Sequence, residues 1–139
     1  MILERLGRFP LSFCQLLFRL AIAGVFGRAG LTKVAGWEMT VQLFTDEYKV
    51  PVFSPGIAAA LATTFELGCS TLLVVGFATR LATLPLLGTI AVIQLFVYPH
   101  AWAEHLTWVS VLVFLLTRGP GPISLDHVLR LGPAPHPQA

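Results

Sequence analysis

Apolar residues run almost unbroken through four stretches of the chain, at residues 11–34, 56–77, 81–98 and 103–117. At about 1.5 Å of rise per residue, a hydrocarbon core about 30 Å thick takes roughly 20 residues of helix. The first three stretches reach that length, and the shorter fourth borrows its amphipathic start near Trp102. No soluble domain is left between or beside them. The pattern predicts an all-α fold: an integral membrane four-helix bundle over residues 11–131. A cytoplasmic N-terminus, 1–10, precedes it, and a disordered Pro-rich tail, 132–139, follows.

The polar connections fit this division. Residues 35–55 hold Gly36, Trp37, Glu38, Asp46, Glu47 and Lys49, with Met39, Leu43 and Phe44 spaced for one face of a short interfacial helix. Ala78-Thr79-Arg80 makes a tight turn, and Pro99-His100 opens another. Gly119-Pro120-Gly121-Pro122 ends the last apolar helix, because proline supplies no backbone donor. Ser124-Leu125-Asp126 then reads as the cap of a short C-terminal surface helix reaching Leu131. Arg5 and Arg8 ahead of Ala21-Ile22-Ala23 look superficially like a signal peptide, but the run contains Arg19 and continues past Ala23, so it reads as a retained first span.

Orientation follows from the basic residues. With the N-terminus inside, the cytoplasmic segments carry Arg5, Arg8, Arg80, Arg118 and Arg130, and the outer loops carry Lys33 and Lys49 among Glu38, Asp46, Glu47 and Glu104. Trp37, Tyr48, Tyr98, Trp102 and Trp108 gather at the outer interface as an aromatic belt. The expectation is N-in, C-in.

Composition strengthens the membrane reading: 55% of residues are hydrophobic, 12% are charged, and mean hydropathy is +0.78. A soluble domain is about 25% charged, so a soluble bundle could not cover this much apolar surface. A net charge of +2, with no like-charge block longer than two residues, gives no footprint for nucleic acid. Cys14 and Cys69 both lie in apolar runs and suggest neither a disulfide framework nor a zinc site. Walker, dinucleotide, HExxH, CxxC and nucleophile-elbow patterns do not occur.

Candidate chemistry therefore lies with the polar residues inside the spans, where a charge costs at least about 2.5–3.5 kcal/mol. These are Arg19 and Arg28 in the first stretch, Glu66 in the second and Gln94 in the third. Counted from the cytoplasmic ends, Arg19 lies about 12 Å deep, Arg28 about 25 Å and Glu66 about 18 Å, so either guanidinium could reach Glu66. At about 100° per residue the two arginines fall on opposite faces, so one rotation cannot aim both at one partner. Gln15 shares the face of Arg19, and Gln94 offers a further partner. Three readings stand: an Arg19–Glu66 pair that fixes registry, a proton-exchanging or ligand-facing Glu66, and snorkelling or pairing across subunits. Gly24, Gly27 and Gly30 allow close helix packing, and equally leave room for a flat quinone head group. His100 and His105, with Glu104, are weak metal candidates, since five residues is a poor spacing for joint ligation and no third histidine lies on that side; no metal is expected.

Taken together these residues resemble the DoxX family of small four-span bacterial membrane proteins. Arg19, Gly24, Phe26, Gly30, Lys33 and Gly36 fall on its opening pattern. Glu66, Gly68, Leu73, Gly76, Thr79 and Arg80 match its second motif, and Gly119, Pro120, Gly121, Ser124, Leu125 and Asp126 resemble its ending. Cys69 stands where a second glycine is usual, and Arg28 is an extra charge. The resemblance implies a four-helix fold in the bacterial inner membrane and an association with redox systems. Relatives include a thiosulfate:quinone oxidoreductase subunit, partners of thiol-handling proteins, and companions of peptide-modifying enzymes. The leading expectation is an accessory or anchor subunit with a redox or peptide-modifying partner and a quinone-sized cleft near Arg19, Gly30 and Glu66. A sulfur-compound:quinone oxidoreductase subunit and a small homo-oligomeric transporter or proton path are the rivals.

Overall fold

The computed structural model describes residues 2–131, and among them every regular element is helical. The Pro-rich segment 132–139, expected to be disordered, lies outside the described residues. A short exposed helix, α1 (Ile2–Leu6), precedes α2 (Leu11–Ala35). Pro10 begins α2 from an extended conformation, and its carbonyl receives the N–H groups of Phe13 and Cys14. Gly36 ends α2, and the chain turns into α3 (Trp37–Leu43) and then a π-helical turn, Phe44–Tyr48. This is the short helix anticipated for the loop, but its buried face differs from expectation. Thr40 and Phe44 are buried and Met39 is exposed, because Phe44 packs against Ala58 and Ala59 of the next helix.

Ser54 and Pro55 open α4 (Pro55–Val75), with proline at the first turn where its missing donor costs nothing. Gly76 closes α4 at φ 71°, a left-handed position that glycine takes without strain. α5 (Thr79–Val92) runs on into a second π-helical turn, Ile93–Val97, and α6 (Trp102–Arg118) follows. The last helix, α7 (Leu125–Val128), is capped by Ser124, whose hydroxyl accepts from the His127 N–H at 3.2 Å. It stops short of Leu131, although the Leu131 N–H returns to the Asp126 carbonyl at 2.8 Å.

α2 packs on α4, α4 on α5, α5 on α6, and α6 back on α2, which closes a four-helix bundle. Ile22 and Phe26 of α2 meet Leu73 of α4, Leu86 and Ile90 of α5, and Leu112 and Leu115 of α6 in its core. Three helices, Leu11–Ala35, Pro55–Val75 and Thr79–Val97, are long and apolar enough to cross a membrane. Only 28%, 39% and 22% of their most apolar stretches are buried within the protein. The remainder, including Leu17, Leu31, Val74, Leu81 and Leu84, faces outward and needs an apolar solvent.

Candidate functional site

One stripe of α2 carries the polar residues that matter. Gln15, Arg19, Ile22, Ala23, Phe26 and Gly30 are its buried positions, recurring every three or four residues. Lys33 extends the stripe by one more step. Opposite it, α4 runs antiparallel: a Cβ on Gly27 would lie 3.5 Å from Ser70, and one on Gly30 would lie 2.7 Å from Leu67. Only glycine at position 30 lets the backbones come this close. The approach brings Glu66 under the end of α2, where the Lys33 ammonium donates to both carboxylate oxygens at 2.9 and 2.8 Å. The Glu66 side chain is 3% exposed and that of Lys33 20%.

Glu66 therefore pairs with Lys33, and the pairing with Arg19 considered from the sequence does not form. Lys33 is not a loop residue; it ends the inward stripe. The signal was present: Lys33 follows Arg19 by fourteen residues, which at about 100° each is within about 40° of the same face. Side chains on a helix lean toward its N-terminus, which carries the ammonium back to the level of Glu66.

A cleft of 410 Å³ opens beside this pair, between α2, α3 and the first π-helical turn. Val25, Arg28, Ala29, Thr32 and Lys33 form its α2 wall, and Thr40, Leu43, Phe44 and Tyr48 face them. Arg28 is exposed, and its guanidinium makes no ion pair or hydrogen bond with a described residue. The Tyr98 hydroxyl lies 3.3 Å from that of Tyr48 and 3.5 Å from a Glu47 carboxylate oxygen. Burial, followed by the contact with Tyr98, pushes the Tyr48 phenol above its ordinary value of 10.0.

At the opposite end of the bundle, Arg19 is 1% exposed and donates to the Leu73 and Val74 carbonyls at 3.1 and 3.3 Å, and to the Ile123 carbonyl. The carbonyl end of a helix carries partial negative charge, so the end of α4 is itself the counter-charge. Asp126 adds a through-space attraction. The same carboxylate receives the N–H groups of Ala78 and Thr79 at 2.8 and 3.0 Å, capping the start of α5. Gln15 donates to the Arg118 and Gly119 carbonyls at 3.3 and 3.2 Å, at the end of α6. Helix ends that would otherwise leave backbone groups unsatisfied in an apolar medium are thus closed by side chains and by the C-terminal segment.

The family model for DoxX matches residues 14–99. The chain belongs to the DoxX family. It is a multi-pass membrane protein of that type, with Arg19, Lys33 and Glu66 all inside the matched segment. No curated protein and no solved structure matches it.

The remaining predicted residues of this DoxX-family chain are dispersed. Gln94 lies in the second π-helical turn, where its side-chain carbonyl meets His105 Nδ1 at 2.6 Å and its amide donates to the Pro99 carbonyl at 2.9 Å. It joins neither Arg19 nor Glu66. His105 is buried against Trp108, whereas His100 is exposed, and among the described residues no three His, Cys, Asp or Glu side chains are placed to hold a metal. Gly24 has nothing within 4 Å of where a Cβ would lie, so of the three glycines only Gly27 and Gly30 serve the α2–α4 contact. At Gly30 the space considered for a quinone is filled by Leu67. Cys14 and Cys69 are free thiols, half-buried and buried. Asp126, absent from the candidates, was detectable only as part of the Ser124-Leu125-Asp126 motif.

Proposed function

We propose that this chain is an accessory, anchoring subunit of a redox system in the bacterial cytoplasmic membrane, crossing it four times with both ends inside. The use made of the buried polar groups carries this reading. Gln15, Arg19 and Asp126 close helix ends, and Lys33 closes on Glu66, so each helps to hold the bundle. The redox association rests on family membership, and in this reading electron-transfer chemistry and any quinone belong to the partner protein.

α6 is the fourth span. Its 17 residues cover about 26 Å, slightly short of a hydrocarbon core, and it is flanked by Trp102 and Arg118, residue types that settle at interfaces. Arg80 and Arg118 lie at one end with the start of α2: Arg80 reaches the Thr117 carbonyl at 3.4 Å. That end is cytoplasmic by the excess of arginine.

Affinity purification from native membranes tests the role. A partner protein should co-purify with the redox activity, and a variant with Cys14→Ala and Cys69→Ala should retain it. If the chain purified alone carries electrons from a sulfur compound to a quinone, and the cysteine variant does not, the subunit is itself the oxidoreductase. Reporter fusions after residues 100 and 131 test the topology. The first should read as external and the second as cytoplasmic; an external second fusion would remove the fourth span.

A further inference from the structure

We propose that the cleft between α2, α3 and the first π-helical turn binds an anionic phospholipid, with the phosphate held between Arg28 and Lys33. The inference starts from a charge without a counterpart. Arg28 sits on an apolar span, seven residues before the end of α2 and so about 10 Å below it, and pairs with no described residue. A cation at that depth is costly unless it meets an anion or water. Glu66 does not serve, because it is paired with Lys33 and makes no contact with Arg28. The Lys33–Glu66 pair is neutral, so Arg28 gives the cleft a net positive charge.

The donors fit a phosphate. A guanidinium offers five N–H groups in a fixed fork, and an ammonium with two donors engaged by Glu66 has a third to give. Tyr48 lines the same space, its hydroxyl 3.3 Å from that of Tyr98. Burial keeps that phenol protonated, so it adds no opposing charge.

The walls fit a lipid more closely than a free ion. Val25 lies nearly one turn deeper than Arg28, and Ala29, Leu43 and Phe44 continue the apolar lining. A headgroup at Arg28 would lay its glycerol and first acyl carbons against these side chains. The volume of 410 Å³ falls within the range of small-molecule sites, about 300–1,000 Å³. A neutral quinone head would leave the Arg28 charge unmatched.

The test is lipid retention by the full chain in detergent, read by native mass spectrometry and thermal shift. Phosphatidylglycerol, phosphatidylcholine of the same acyl chains, inorganic phosphate and a short-chain quinone are compared. Phosphatidylglycerol should be retained preferentially, and Arg28→Gln should weaken it about fivefold, the weight of one cation near a membrane surface. Arg28 is exposed and unbonded, so the variant should keep its helix content. Should it fail to fold, the wild-type chain still decides, because retention must fall as ionic strength rises. Equal retention of the two lipids, retention unchanged in Arg28→Gln or insensitive to salt, or displacement by the quinone would overturn the proposal. An equal effect from inorganic phosphate alone would reduce the cleft to a free-anion site and remove the lipid.

Discussion

The Lys33–Glu66 pair makes an ordered prediction about three variants. Lys33→Met leaves a carboxylate that is 3% exposed without the cation and the two hydrogen bonds it now has. Breaking a buried pair from one side costs about 3–5 kcal/mol, and this case belongs there. Glu66→Leu leaves the cation, but Lys33 is 20% exposed and two residues from the end of α2. Its long stem can carry the ammonium to the interface, so the cost falls to about 2 kcal/mol. The double variant replaces the pair by apolar side chains of similar bulk, an exchange that is often neutral or stabilising.

The order of stability should therefore be wild type and double variant together, then Glu66→Leu, then Lys33→Met. Steric-trap unfolding in bicelles measures it, with all four proteins in one lipid mixture. If the double variant loses the sum of the two single losses, to within about 0.5 kcal/mol, the residues are uncoupled and the pair is not what joins α2 to α4. If Glu66→Leu is the worse single variant, the account of Lys33 escaping to the interface is wrong. A double variant that folds and inserts but loses the co-purifying activity would give Glu66 a chemical role that bundle stability does not explain.

Four further outcomes follow from the same contacts. Arg19→Met should lower stability by about 2–3 kcal/mol in the same unfolding assay, because charge-assisted bonds to the C-terminal end of α4 and to Ile123 are lost together. Asp126→Ala should cost about 1–2 kcal/mol as the cap of α5 is removed, with faster amide hydrogen exchange at Ala78 and Thr79 as the local sign. Gly30→Ala should destabilise by about 1–3 kcal/mol, since its Cβ would lie 2.7 Å from Leu67, whereas Gly24→Ala meets nothing and should stabilise by up to about 1 kcal/mol. The Tyr48 phenol titrates above 10.0, so its contribution to stability is complete below that pH and is lost as pH rises beyond it toward the folded value. Phenolate absorbance and thermal melting across this alkaline range check the sign, and Tyr48→Phe should abolish the loss.

What the sequence made legible and what it hid divide along the range of the interactions. Apolar runs, Gly76 and the Ser124 cap report local backbone preference, and the helices begin and end where these change. The choice of partner for Glu66 is a different kind of fact, because it depends on how two helices rotate and slide against each other. Depth along the span left Arg19 and Arg28 as equal contenders, while face and lean together pointed to Lys33. Gly30 settles the matter in three dimensions: by admitting Leu67 it sets the height of α4, and that height places Glu66 at Lys33 and the end of α4 at Arg19. The two buried cations thus have different counter-charges, a side chain for one and a helix terminus for the other. The second could not be foreseen from an inventory of acidic residues, because the oxygens that receive Arg19 belong to the backbone and are brought together by Gly76 and by a C-terminal segment some fifty residues further on. In lipid, where water cannot finish a helix, such backbone oxygens are as much a destination for an arginine as any carboxylate.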